Sequence, residues 1–209
     1  MPPTRLSYDM RRGAVSGTAE LVWQHANGQY TLDLATRVLG AEVLGLSSRG
    51  GFDTAGLAPR RFTDRRRGRD RLAANLDPAS GRITYSGPAV VQPLHPGTQD
   101  RLSWMVQLPA IVEADPARWR PGTRVELFVT GARGDADTWS FQVQGREALS
   151  LPAGRVDGAL RLTRDPRKPY DTQVEVWLDP ARQHLPVRAR MTVLPGGETL
   201  DLRLSGTGP

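Results

Sequence analysis

Apolar and polar residues alternate along most of this chain, and side chains two positions apart lie on one face of an extended strand. Leu6, Tyr8 and Met10 alternate with Arg5, Ser7 and Asp9; Ala19, Leu21 and Trp23 alternate with Glu20 and Gln24; Tyr30, Leu32, Leu34, Thr36 and Val38 repeat the pattern. Three strands therefore open the chain. Asn27-Gly28 separates the second from the third, and both residue types accept the positive φ of a two-residue hairpin turn.

The same period predicts strands over 42–53, 57–67, 69–77 and 82–86, punctuated by Gly50-Gly51, Gly56 and Gly68 as turns. It changes after Thr98. Leu102, Met105, Val106 and Val112 share a helical face, which predicts a helix around 98–114 with Thr98 as its cap and Asp100 near its positive end. Pro109 is expected to kink this helix or end it early. Asp115-Pro116 and Pro121-Gly122 return the chain to extended structure. Alternation then resumes in Val125, Leu127 and Val129; Trp139, Phe141 and Val143; Leu160 and Leu162; Val174, Val176 and Leu178; Val187, Ala189, Met191 and Val193; and Leu200, Leu202 and Leu204.

Crossover helices between strands are missing, so the fold class is mainly β, a large antiparallel sheet rather than a parallel one. Roughly ten or more twisted strands curl, giving a half-barrel or open barrel with the one main helix on or in its concave face. With 209 residues, 38% of them hydrophobic, a single domain over 1–209 has material for such a core. The pattern leaves open whether helix and loops fill the hollow or leave part of it as a ligand cradle. Residues expected to line a cradle are Leu32, Leu34, Trp104, Met105, Leu127, Trp139, Phe141, Val176 and Met191.

Composition narrows the chemistry. The chain has no cysteine, which removes disulfides, thiolate metal sites and cysteine nucleophiles. No apolar run approaches the roughly 20 residues of a membrane-spanning helix. His25, His95 and His184 stand apart near turns or prolines, without metal-ligand spacing, and are expected at the surface or in loops. Neither a G-x-S-x-G elbow nor a Ser-x-x-Lys occurs. Asp135 and Asp137 share a strand face and Asp64, Asp70 and Asp77 lie among arginines, but solvated turn and strand positions account for them. No catalytic residue, metal or cofactor is expected.

All but one of the 28 basic residues are arginine, Lys168 being the exception, against 22 acidic ones. Arginine suits phosphate and carboxylate partners, yet no nucleic-acid recognition pattern accompanies the charge, so that partner is not expected. The densest cluster is Arg60, Arg61, Arg65, Arg66, Arg67, Arg69 and Arg71 with Asp64 and Asp70 interleaved. Arg65, Arg66, Arg67, Arg69 and Arg71 are candidates for contact with an anionic envelope surface; the plainer reading is the exposed face of a hairpin. Trp177 falls on the polar face of its strand, which suggests cover by another segment or a partner surface.

Ala136-Asp137-Thr138-Trp139-Ser140-Phe141, Leu149-Ser150-Leu151-Pro152-Ala153-Gly154, Tyr170-Asp171, Val174-Glu175-Val176-Trp177-Leu178 and Leu185-Pro186-Val187-Arg188 resemble an uncharacterised exported family of proteobacteria, a domain of unknown function. Pro96-Gly97-Thr98-Gln99-Asp100-Arg101-Leu102-Ser103 and Gly56-Leu57-Ala58-Pro59-Arg60-Arg61-Phe62 are similar too. The resemblance implies a periplasmic, envelope-associated β-rich protein comparable to the half-barrels of lipoprotein carriers, and it carries over no catalytic residue. Members have an N-terminal export segment, whereas this sequence begins Met1-Pro2-Pro3 and soon enters a strand. The leading expectation is a non-enzymatic envelope protein holding a lipid, acyl chain or peptide. The alternative is an interaction module with a filled core that binds protein partners or anionic envelope surfaces.

Overall fold

The computed structural model describes residues 2–168 and 171–208, so Tyr170 of the resemblance lies outside the described residues. The strands are β1 (Thr4–Arg12), β2 (Val15–Ala26), β3 (Gln29–Val38), β4 (Ala41–Asp53), β5 (Gly56–Arg66), β6 (Arg69–Asp77), β7 (Arg82–Tyr85) and β8 (Val91–Pro93) in the first half. β9 (Gln99–Asp100) leads into the helix α1 (Trp104–Ala114). β10 (Arg124–Thr130), β11 (Ala136–Leu151), β12 (Gly154–Arg164), β13 (Thr172–Asp179), β14 (Leu185–Val193) and β15 (Thr199–Gly208) follow. Among the described residues these form one 15-stranded sheet in the order β8 to β1, then β15 down to β9. The first and last strands pair at its centre, with Arg5 opposite Gly208. Every pairing is antiparallel except β9 on β10.

Two edges therefore consist of strands that follow one another in the chain. β8 and β9 do not pair, so the sheet is an open barrel. Side chains bridge the gap: the Tyr85 hydroxyl meets the Thr130 hydroxyl at 2.8 Å, and Gln92 Nε2 donates to the Gly134 carbonyl at 3.3 Å. Both edge strands are short and β8 ends in Pro93, features that discourage edge-to-edge association.

The alternation places its apolar set inward as expected. Leu6, Tyr8, Leu21, Leu32, Phe62, Phe141, Leu162, Val176 and Leu202 are all buried in one core. Asn27 and Gly28 both have positive φ and close the β2–β3 hairpin. Gly50-Gly51 corrects the expectation of a turn. The pair lies inside β4 at a register shift, where a Cβ on Gly50 would strike the Ala58 carbonyl and the Pro59 backbone on β5. Glycine is used there for close backbone approach.

The helix begins later than expected. Thr98 does not cap it; its Oγ1 donates to the His95 carbonyl at 2.7 Å and closes the turn before β9. Asp100 takes the role instead, accepting the N–H groups of Leu102 and Ser103 at 2.8 Å each, and Ser103 stands at the N-cap. Pro109 lies inside α1 without ending it. Proline forfeits one helical hydrogen bond, while Leu108, Pro109 and Val112 are buried; burial of this stretch holds the helix together past the proline.

α1 fills one end of the hollow. Its Gln107 Oε1 accepts the Leu57 N–H and its Nε2 donates to the Ala55 carbonyl, both at 2.9 Å, which ties it to the β4–β5 turn. Gly56 in that turn has φ +110°, and a Cβ there would meet the Gln107 amide.

Candidate functional site

The opposite end of the hollow is open. β4 runs from Leu44 and Leu46 at this end to Phe52 near the helix, and β14 runs from Leu185 to Met191 and Val193 here. Between them lies a cleft of about 550 Å³. Its apolar surface comes from Leu44, Leu46, Phe62, Val129, Trp139 and Met191. Its charged surface comes from Asp64 and Arg66 on β5, Arg101, Arg133 and Asp135 near the β10–β11 turn, Asp137 on β11, and Arg164, Lys168 and Asp171 where β12 leads to β13.

Strand phase explains the charges. Asp64 and Arg66 follow Phe62 at two-residue steps, Asp137 precedes Trp139, and Arg164 follows Leu160 and Leu162. Each sits on the inward face near a strand end, where the hollow meets solvent. A charge on the greasy phase was the available signal for this cleft.

Trp139 forms the junction between cleft and core. Only 3% of it is exposed; beneath it lie Trp104 with ring centres 6.0 Å away and Phe141 at 6.1 Å. Two guanidinium groups face the indole, Arg164 at 4.7 Å and Arg101 at 5.2 Å from the ring centre. Cation–π attraction of this kind strengthens where water is excluded. Arg101 also pairs with Asp135.

Arg164 is buried and needs partners. It makes a two-pronged ion pair with Asp171, Nη1 to Oδ1 at 3.0 Å and Nη2 to Oδ2 at 2.6 Å, and donates to the Thr172 carbonyl. Asp171 also accepts the N–H groups of Arg167 and Thr172 at 3.0 and 2.8 Å. Burial pushes its carboxyl up, but the bonds from Arg164 and the two amides outweigh that and hold it at about 2.

A second buried carboxylate lies deeper. Asp100 accepts a hydrogen bond from Ser48, whose oxygen is 2.9 Å from the Tyr30 hydroxyl, so β3, β4 and β9 are joined through polar side chains. Burial raises its carboxyl to about 6 against the lowering effect of Ser48 and the Ser103 and Leu102 amides.

Of the residues expected to line a cradle, Trp139 and Met191 border the cleft. Leu32, Leu34, Trp104, Met105, Leu127, Phe141 and Val176 do not; all are buried side chains of the filled part of the core, with Trp104 stacked on Phe141 at 5.3 Å. Of the arginine set, Arg66 borders the cleft and pairs with Asp64 at 3.3 Å, Arg65 pairs with Asp70 at 3.3 Å, and Arg67, Arg69 and Arg71 are exposed around the β5–β6 turn. The Arg164–Asp171 pair and Arg101 were missed, because their roles depend on which loops the curl brings together.

The histidines are dispersed. His25 lies beside Trp23 and Phe52, and His95 packs edge-on to Phe128. His184 corrects the surface expectation: it is 2% exposed, its Nδ1 2.6 Å from Glu113 Oε2 at the end of α1. Trp177 is also buried. Its outward indole lies between Arg161 and Arg188, the residues directly opposite on β12 and β14, and its Nε1 donates to Glu147. The chain covers this tryptophan with its own arginines.

These features define a class: an open, barrel-like antiparallel sheet with a helix plugging one end of its hollow and a charged cleft at the other. Residues 6–203 match the family described as protein of unknown function (DUF3108), and the chain belongs to that family. Its fold is similar to a beta-barrel-like protein of domain of unknown function DUF1849 from Brucella abortus, with a TM-score of 0.61 at 16% identity over 99% of this chain and 97% of that one. The MucA/MucB complex of Pseudomonas aeruginosa is more distant, with a TM-score of 0.40 and 13% identity; this chain is covered to 99% and spans about half (52%) of that chain. No curated protein matches the sequence. No helix among the described residues is long and apolar enough to cross a membrane.

Proposed function

We propose that this is a non-enzymatic protein of the cell envelope that holds an apolar chain, an acyl chain or an extended peptide segment, in the open end of its curled sheet. The observation that carries the reading is the cleft of about 550 Å³ between Leu46 and Phe62 on one arm and Trp139 and Met191 on the other. Ligand pockets commonly measure ~300–1,000 Å³ and combine an apolar lining with a few placed polar groups. The buried Arg164–Asp171 pair supports this reading, because it ties the end of β12 to the start of β13 beside the cleft and so fixes part of the cleft wall without a ligand. The periplasmic location rests on the sequence resemblance and is tested by fractionating cells that express the full-length gene product.

Protein purified without detergent is expected to release lipid or peptide into an organic extract read by mass spectrometry, and to take up a fluorescent fatty acid. Leu46→Glu sets a carboxylate on the apolar wall and is expected to weaken that uptake at least about tenfold, with an unchanged circular dichroism spectrum. Absence of both co-purifying material and uptake would end the proposal.

The exposed arginine hairpin favours a second reading, contact with an anionic surface. Among the described residues Arg67, Arg69 and Arg71 have no ion-pair partner, while Arg65 and Arg66 are neutralised by Asp70 and Asp64. Charge reversal at Arg67, Arg69 and Arg71 is expected to abolish sedimentation with anionic vesicles at low salt; unchanged sedimentation would remove this reading.

A further inference from the structure

The charges around the cleft do not cancel, and the excess has one sign. Asp64 is paired with Arg66, Asp135 with Arg101, Asp171 with Arg164, and Asp137 with Arg167 at 3.8 Å. Every carboxylate that lines the cleft is thereby engaged. Arg133 and Lys168 also line it, both exposed, and among the described residues neither has a hydrogen bond or ion pair from its side chain. Lys168 is the one lysine of the sequence.

These two cations stand on anchored backbone. Arg133 lies in the β10–β11 turn, closed by the Gly131 N–H on the Asp135 carbonyl at 2.8 Å, and the Gln92 amide holds the neighbouring Gly134 carbonyl. The Lys168 carbonyl accepts the Asp171 N–H at 3.2 Å, and Asp171 is itself clamped to Arg164. Each cation can sweep with its side chain, but its root is fixed beside an apolar wall of Trp139, Met191 and Phe62.

We infer that the cleft takes an amphiphile with an anionic head, a carboxylate or phosphate ester on one apolar chain, and that Arg133 and Lys168 hold the head while Leu46, Phe62, Trp139 and Met191 hold the chain. The inference rests on the apolar-chain reading above and adds its chemical class. A cationic head would need an unengaged carboxylate, and none lines the cleft. A neutral chain would make no use of either cation. A guanidinium presents forked donors that match carboxylate and phosphate oxygens, and an ammonium adds a mobile point charge. Low-dielectric walls around the cleft focus their field on an entering anion.

Calorimetric titration with dodecanoate, dodecyl phosphate and dodecanol, each below its aggregation threshold, separates the two layers of this argument. Both anions are expected to bind about tenfold or more tighter than dodecanol, with affinity that falls as salt rises. The double variant Arg133→Gln, Lys168→Gln is expected to bind all three alike, at the dodecanol level of the unaltered protein. Both residues are exposed, so an unchanged thermal melt verifies the fold. Equal binding of dodecanoate and dodecanol, or undiminished anion binding by the double variant, would overturn the head assignment and leave the apolar cleft standing. Failure of all three to bind would overturn the cleft reading itself. Competition by inorganic phosphate alone, at the strength of dodecyl phosphate, would assign the cations to a free anion and overturn the amphiphile.

Discussion

Two buried aspartates respond to pH in opposite directions. Asp171 is held at about 2 by its bonds, below its ordinary value, so its contribution is complete above about pH 4 and is lost as pH falls toward 2. Asp100 is raised to about 6, so the fold is favoured while it is protonated and loses that advantage as pH rises from about 4 through 6. The Asp100 shift corresponds to about 3 kcal/mol. Asp100→Asn keeps an acceptor for the Leu102 and Ser103 amides and presents a donor to Ser48, whose hydroxyl can then turn to Tyr30. The variant is expected to flatten the pH dependence of urea unfolding between pH 4 and 7. Asp171→Asn leaves Arg164 buried without its counter-charge and is expected to cost about 3 kcal/mol at pH 7, checked by the same unfolding curves. Neither behaviour was legible in the sequence. Asp100 read as a helix-end anion and Asp171 as part of a family segment, because burial is set by what arrives from elsewhere in the chain.

At the scale of elements, the strands were read nearly complete and the helix only in part. Period-two hydropathy encodes a strand with one buried face, and each of β10 to β15 carries a stretch of it, broken by bulges in β11 and at Trp177/Leu178 in β13. α1 is tied at both ends by contacts outside itself, Gln107 to the β4–β5 turn and Glu113 to His184. Gln107→Ala strips the Leu57 N–H and the Ala55 carbonyl of their partners and is expected to cost about 2 kcal/mol in denaturant unfolding. On the convex face, Trp177 and its flanking arginines form a cross-strand stack joined to Glu175, which pairs with Arg161 at 2.6 Å and Arg190 at 3.1 Å. Trp177→Ala is expected to lower stability by about 3 kcal/mol, read as a lower thermal midpoint. The outward phase of Trp177 marked it as unusual, but its cover came from the strands on either side, which pattern alone does not align.

Over the whole molecule, the sheet is continuous only because the two ends of the chain pair with each other. β1 and β15 join the two arms at the sheet centre, and Leu202 and Leu204 of β15 are buried. Deleting residues 199–208 would open two internal edges at once and is expected to abolish the cooperative melt, whereas a cut near Gly97, between the two natural edges, interrupts no strand pairing. The curl then sets the site. The helix fills the end of the hollow that contains the β4–β5 turn, and the other end stays open because inward charges, the carboxylates among them each paired with an arginine, stop the apolar core short of the rim.

Alternating hydropathy, proline and glycine punctuation and the single helical period were enough to specify a curved antiparallel sheet with one helix, because these are local properties of the backbone. Which apolar residues became solid core and which became cleft wall was decided only in three dimensions. Leu32 and Leu46 both alternate with polar neighbours, yet Leu32 is fully buried and Leu46 borders the cleft. The difference is what the curled sheet packs against each of them, and that depends on strand register and sheet closure between residues far apart in sequence.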